Sequence, residues 1–136
     1  MIAMSFDTQI RYAGGVTIFD LNGRLTSGLA GDSLRDKLFD AFEHGHRLLL
    51  LNCEGLTYVD SGGLGELVSA YAAMVRRGGA LKLLRPSKRL AELLQLTRLD
   101  ALFEIEDDEA AALAGFRAPD KVHTQRKLAD YLSPDN

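Results

Sequence analysis

The chain has a single cysteine and no long apolar run, and both features limit the classes of protein to which it can belong. Cys53 is the only cysteine among 136 residues. No internal disulfide can form, so a reducing cytoplasm is the expected compartment. No secretory segment precedes Phe6, and no apolar stretch approaches the roughly 18 residues that span a membrane. We therefore expect a soluble cytoplasmic protein in which Cys53 is a small core residue.

The chain also lacks the excess of positive charge that nucleic-acid binding usually requires. Its formal net charge is -3, which argues against a nucleic-acid partner. The length suits one hydrophobic core but not two, and no internal repeat is present. One domain is expected over residues 1–116, followed by a polar tail, 117–136, that is either packed on the domain or partly helical.

Motifs for nucleotides, dinucleotides and metals are missing as well. The chain contains no Gly-Lys-Ser/Thr loop and no Gly-x-Gly-x-x-Gly fingerprint at the start of a helix. His44 and His46 could hold a metal ion only with a third ligand that the sequence does not offer. We therefore expect no bound cofactor and no metal site.

The chain does show a regular alternation of strand and helix patterns. Strands are predicted over 6–12 and 16–21, joined by a turn at Gly14-Gly15 and ended by Asn22-Gly23. The later strands and helices are predicted over 30–44 (helix), 48–52 (strand), 64–75 (helix), 80–84 (strand) and 102–106 (strand). Between the last two strands Ser87 can cap a helix that carries Leu90, Leu93 and Leu94, and Asp107-Asp108-Glu109 suit the start of a final helix through Phe116. The order β-β-α-β-α-β-α-β-α predicts a single α/β domain with a mixed, mostly parallel sheet and right-handed crossovers.

One hexapeptide between the 48–52 strand and the following helix contains the candidate functional residues. It places a hydroxyl beside a carboxylate at the first turn of a helix, with three glycines that would let another backbone approach closely. Its residues are Asp60-Ser61-Gly62-Gly63-Leu64-Gly65. The hydroxyl could serve either as a nucleophile or as the acceptor of a phosphate.

The nucleophile interpretation fails on its partners. Asp-Ser-Gly-Gly also occurs around the serine of trypsin-like proteases, but that mechanism needs a histidine base and an orienting carboxylate at the serine. His44 and His46 follow a helix end and His123 lies in the tail, and two β-barrels do not fit this length. A nucleophile elbow needs glycine where this chain has Val59. We therefore expect no catalytic residue and no enzymatic activity.

The hexapeptide, with a strand before it and a helix after it, resembles the signature of STAS domains, specifically of bacterial anti-sigma factor antagonists. The likeness covers residues 16–116. It includes Leu21-Asn22-Gly23-Arg24-Leu25, which is similar to the Leu-x-Gly-x-Leu of the family, and Gly78-Gly79 before the next strand. The resemblance implies a STAS-type fold and a partner-switching function. In that family the antagonist binds a serine kinase that is also the anti-sigma factor, and so frees a sigma factor.

The resemblance also implies the site. Ser61 is the expected phosphoacceptor, phosphorylated by the partner kinase with its own ATP and reset by a PP2C-type serine phosphatase. The expected partner-binding residues are Thr26, Ser27, Asp60, Gly62, Gly63, Leu64 and Gly65. Two residues depart from the family, because Gly62 replaces a common Ser or Thr and Thr26 replaces a frequent Asp.

Two further questions stay open in the sequence. A homodimer is compatible with the resemblance, and so is a scaffold role as a subunit of a stressosome-like or transporter-associated assembly.

A phosphate on Ser61 is expected to be tolerated by the fold, since free N–H groups at a helix N-terminus can bind it. The same phosphate would repel a partner, because it adds charge beside Asp60.

Overall fold

The computed structural model describes residues 5–116 together with Tyr131 and Leu132. The observed strands and helices follow the predicted order, with one added 3-10 turn at Leu99–Ala101. The strands are β1 (Phe6–Ala13), β2 (Val16–Leu25), β3 (Leu48–Val59), β4 (Ala80–Leu84) and β5 (Glu104–Glu106). The helices are α1 (Leu29–Glu43), α2 (Ser61–Arg76), α3 (Lys88–Leu96) and α4 (Glu109–Gly115). The predicted tail, 117–136, lies outside the described residues except for Tyr131 and Leu132, which are helical and exposed.

The five strands form one mixed sheet in the order β1-β2-β3-β4-β5. β1 is antiparallel to β2, and the other neighbours are parallel, which confirms the predicted sheet type. Each crossover moves to the next strand in the same direction, so right-handed connections place α1, α2 and α3 on one face. α4 packs against the opposite face with a smaller apolar cluster.

The first half of β3 is buried on both faces of the sheet. Leu49 and Leu51 join the large cluster under α1 to α3, whereas Leu50 joins the cluster under α4, and all three are fully buried. This two-sided burial is the reason for the unbroken apolar run in the sequence. It confirms the prediction of a strand covered on both faces.

The opening hairpin turns on two glycines. Ala13 pairs with Val16, which leaves Gly14 and Gly15 as a two-residue loop with φ of 58° and 81°. Positive φ at both positions is the geometry of a type I′ turn, which matches the twist of the strands and which glycine adopts without strain. The predicted antiparallel hairpin is confirmed.

The prediction that Asn22-Gly23 ends β2 is wrong, because the strand continues to Leu25. Gly23 has a φ of 99°, and a Cβ at this position would collide with the backbone carbonyl of Ser5. The glycine therefore lets β2 continue past the start of β1. It does not terminate the strand.

β3 is also longer than predicted, since it reaches Val59 and not residue 52. Against β2 it carries one extra residue between Asn52 and Gly55 and another between Leu56 and Tyr58. Each insertion is a β-bulge, which shifts the side-chain alternation by one residue. Cys53, Leu56 and Val59 consequently all pack into the same cluster at a spacing of three.

The last strand is shorter than predicted, because it begins at Glu104. The 3-10 turn at Leu99–Ala101 lies just before this strand, and Leu102 and Phe103 are buried between the turn and the strand.

None of the helices in the described residues combines the length and the apolar character that a membrane span requires.

Candidate functional site

Ser61 lies at the junction of β3 and α2, where Asp60 caps the helix. Asp60 is extended, and its Oδ1 accepts a hydrogen bond of 2.7 Å from the Gly63 N–H. Its backbone carbonyl accepts the first helical bond, 2.8 Å from the Leu64 N–H. Ser61 is therefore the first helical residue, and it is exposed. The cap fixes the backbone conformation at Ser61, and so the position from which its hydroxyl projects.

The cap also changes what a phosphate on Ser61 would meet. The Gly63 N–H is already hydrogen-bonded to the Asp60 carboxylate, so it is not one of the free N–H groups that could bind the phosphate. The amides of Ser61 and Gly62 have no acceptor among the described residues. A phosphate would thus share one positive helix end with the Asp60 carboxylate.

The three glycines of the hexapeptide have different surroundings. A Cβ on Gly63 would collide with the backbone carbonyl of Leu25, and one on Gly62 would lie 2.8 Å from the Cβ and Oγ of Ser27. A Cβ on Gly65 would meet nothing within 4 Å. Close packing within the fold therefore explains Gly62 and Gly63 but leaves Gly65 without a structural reason.

The loop between β2 and α1 lies against the start of α2. The Thr26 carbonyl accepts from the Gly31 N–H at 3.1 Å, and this bond ties the loop to α1. Ser27 is exposed and packs against Gly62, and Thr26 is half-buried. We call the surface that the loop forms with the start of α2 the acceptor face. Its residues are Thr26, Ser27, Asp60, Ser61, Gly62 and Gly65.

Gly63 and Leu64 do not belong to this face. Both are buried, Gly63 against Leu25 and Leu64 in the large core cluster. Their packing holds α2 close to β2, and their role as partner contacts stays a prediction. Four residues of the hexapeptide thus belong to the acceptor face and two belong to the core.

Leu29 is a site residue that sequence reasoning missed. It is the first residue of α1, directly after the loop, and 90% of its surface is exposed. Leu34 and Leu38 form the buried stripe of the same helix, and Leu29 does not extend that stripe inward. This exposed leucine follows the loop of the acceptor face and is available for an apolar contact. Its place one residue before the helical pattern was the only signal.

An ion pair joins the two helices that carry the acceptor face. Arg35 of α1 donates two hydrogen bonds, of 2.6 and 2.7 Å, to the carboxylate of Glu66 on α2. These bonds raise the pKa of the Arg35 guanidinium. The Glu66 side chain lies over Gly31, where a Cβ would approach its Cγ to 2.6 Å. The pair thereby fixes the beginning of α1 against the beginning of α2.

None of the described histidines lies at Ser61. His44 follows the C-terminal end of α1, which is 15 residues long, so about 22 Å of helix separates it from the acceptor face. His46 stacks on Tyr12, with ring centroids 5.2 Å apart. His123 lies outside the described residues.

Burial raises the pKa of the Cys53 thiol to about 12, so this thiol stays protonated.

Candidate metal ligands do not converge in the described part of the chain. Among residues 5–116, 131 and 132, no group of three His, Cys, Asp or Glu side chains could hold an ion. The site thus consists of an exposed hydroxyl on a capped helix, with a loop and a bare leucine beside it.

Comparison with known proteins gives a family match over most of the chain. The model of the STAS domain matches residues 7–112. The anti-sigma-B factor antagonist of Bacillus subtilis is 30% identical over 99 residues, which are 73% of this chain and 81% of that protein.

Two solved structures share the fold. One, a candidate anti-sigma factor antagonist from Thermotoga maritima, has a TM-score of 0.74 and 22% identity over 82% of this chain and 95% of its own. The other is the Bacillus cell fate determinant SpoIIAA in its phosphorylated form. It has a TM-score of 0.64 and 23% identity, and covers 82% of this chain and 100% of its own.

Proposed function

This chain belongs to the STAS domain family, and we propose that it is an anti-sigma factor antagonist controlled by phosphorylation of Ser61. In this role it binds, in the cytoplasm, a serine kinase that is also the anti-sigma factor, and so frees a sigma factor. The observation that carries the proposal is an exposed hydroxyl at the capped start of α2, in the motif that resembles the family signature.

The chemistry belongs to the partner. The kinase transfers the terminal phosphoryl group of its ATP to Oγ of Ser61, with loss of the hydroxyl proton to a base of the kinase and release of ADP. Ser61 contributes the attacking oxygen and a fixed position. This chain is accordingly a binding module and a substrate, not an enzyme. A PP2C-type serine phosphatase hydrolyses the phosphate and resets the protein.

The effect of the phosphate is electrostatic. It adds about -1.5 to -2 charges at neutral pH, directly beside the Asp60 carboxylate. Ser61 is exposed, so the phosphate meets water on the free protein and leaves the packing under α2 intact. In a complex the same charge would be desolvated against the partner. We infer that phosphorylation lowers the affinity for the kinase and does not unfold the antagonist.

The acceptor face supplies the contacts of the unphosphorylated form. Gly65 is open and exposed one turn after Ser61, so a partner backbone can approach α2 closely there. Leu29 adds an apolar contact on the other side of the loop. Thr26 and Ser27 belong to the loop that precedes Leu29, and Ser27 packs against Gly62. The frequent Asp of the family at position 26 is absent, so the kinase must read this loop without that charge.

Phosphate incorporation tests the assignment of Ser61. Incubation with the cognate kinase and ATP should add one phosphate per chain, and Ser61→Ala should abolish it, as measured by intact-mass spectrometry. Ser69→Ala is the matched control, since its hydroxyl is also exposed and lies two turns further along α2. This control should be labelled like the wild type. Equal labelling of the wild type and Ser61→Ala would refute the assignment.

A further inference from the structure

Beyond its fifth residue, β3 has a neighbouring strand on one side only. β4 pairs with β3 from Leu48 to Asn52, whereas β2 follows β3 as far as Val59. Alternate backbone N–H and C=O groups of residues 53–59 therefore face away from β2, along an edge that no described strand occupies. The Glu54 N–H bonds to Oδ1 of Asn52 at 3.2 Å. The edge that is left as a template for another strand runs from 55 to 59.

α3 stands beside this edge and leaves an open groove between helix and strand. The enclosed part of the groove is about 30 Å³, far below the roughly 300–1,000 Å³ of small-molecule sites. It is therefore a shallow groove that admits the tips of side chains and not a small molecule. Its lining residues are Leu56, Thr57, Tyr58 and Val59 on the strand and Ser87, Arg89, Leu90 and Leu93 before and along the helix. Leu56 and Leu90 are buried and make its floor apolar.

One cationic side chain lines the groove and two more lie near its lining residues. Arg89 lines it, Lys88 precedes Arg89 at the start of α3, and the Arg24 guanidinium lies 4.0 Å above the ring of Tyr58. Within residues 5–116, none of these three cations has a carboxylate oxygen within 4.0 Å. The N-terminal end of α3 adds the positive end of its dipole.

We propose that this groove is a second docking site, which takes an extended acidic segment of a partner protein as an added strand on β3. Main-chain hydrogen bonds to residues 55–59 supply the pairing, as in other strand-addition complexes. Alternate apolar side chains of the segment enter the floor at Leu56 and Leu90, and its carboxylates meet Arg89 and Arg24. The site does not require phosphorylation of Ser61, so the two proposals stand or fall separately.

A designed peptide tests the site on the full chain. The probe is a six-residue peptide, blocked at both ends, that alternates glutamate with valine and leucine. Titrated into the ¹⁵N-labelled protein, it should shift the amide signals of residues 55–59 and 87–93. Arg89→Glu should weaken binding about tenfold. Arg76→Glu, the same charge reversal at an exposed position in the last turn of α2, should bind like the wild type.

Two variant peptides separate charge from pairing. Lysine in place of glutamate should weaken binding about tenfold or more, because the charged side chains in and near the groove are cationic. Methylation of the amides that face β3 should abolish binding, because it removes the strand hydrogen bonds. Unchanged signals at 55–59, shifts confined to the acceptor face, equal binding of the lysine peptide, or full binding by a folded Arg89→Glu variant would each overturn the proposal.

Discussion

Gly65 is the residue of the acceptor face whose identity the fold itself does not require. It has an ordinary helical conformation, it is exposed, and a Cβ there would meet nothing. Glycine inside a helix costs about 1 kcal/mol relative to alanine. A residue that lowers stability without serving the packing points to a requirement outside the chain, and close approach of a partner backbone is such a requirement.

Replacement of Gly65 should therefore separate stability from binding. Gly65→Ala should raise the free energy of unfolding in urea by about 0.5–1 kcal/mol while it weakens binding to the anti-sigma factor kinase in a calorimetric titration. Gly63→Ala is the contrasting variant and should lower stability by about 1–3 kcal/mol, because its Cβ meets the Leu25 carbonyl. Unaltered kinase affinity in Gly65→Ala would show that the partner does not use the open surface.

Gly62 and Ser27 should be coupled, since the two residues occupy the same space. Gly62→Ala gains helix propensity but places a Cβ 2.8 Å from the Ser27 side chain. We expect the single variant to be no more stable than the wild type, and the gain to appear in a Ser27→Gly background. A double-mutant cycle in urea should give a coupling of about 0.5–3 kcal/mol. Additive effects would mean that the loop yields freely.

Among the strands and helices, β3 best illustrates what a pattern can and cannot predict. Its first half was predicted because burial on both faces leaves an unbroken apolar run. Its second half was missed because two bulges place Cys53, Leu56 and Val59 on one face at a spacing of three, which is not a strand period. The bulges depend on pairing with β2, some thirty residues earlier, so no local window contains them.

Arg11 links two strands to α4 and makes the fold sensitive to acid. Its guanidinium bonds to Asp20 at 2.7 Å and to Glu109 at 2.6 Å, and these bonds lower the pKa of both carboxyl groups. A carboxylate whose pKa is lowered by folding adds stability above its unfolded pKa. That stability is lost as the pH falls through the lower, folded value.

The free energy of unfolding should accordingly fall as the pH drops from about 5 through the lowered pKa values of the folded state, and it should fall less in Arg11→Met than in the wild type. Urea denaturation at a series of pH values measures both curves. Arg76→Met, an exposed arginine without a described ion pair, is the control and should follow the wild type. Parallel curves for Arg11→Met and the wild type would exclude the Arg11 pairs as the source of acid sensitivity.

At the scale of the whole molecule, the position of the site was more predictable than its composition. The strand-to-helix alternation around the hexapeptide was enough to place Ser61 at a helix start. Gly63 could not be recognised as core, because the carbonyl that it packs against belongs to Leu25, in another strand. The exposure of Leu29 could not be predicted, because it depends on neighbours in space that the local sequence does not contain.

For the whole molecule, we expect phosphorylation to change the charge on the acceptor face and to leave the fold unchanged. A scaffold subunit of a larger assembly would instead keep its partners whether or not Ser61 carries a phosphate. The difference lies in the binding free energy and not in the architecture, which both roles share.

The affinity of the anti-sigma factor kinase for the protein with and without phosphate on Ser61 tests this account most directly. The two forms should differ in Kd by about a hundredfold or more, which corresponds to roughly 3 kcal/mol, while their melting temperatures stay within a few degrees. Equal affinities of the two folded forms, or loss of binding that accompanies unfolding of the phosphorylated form, would contradict it.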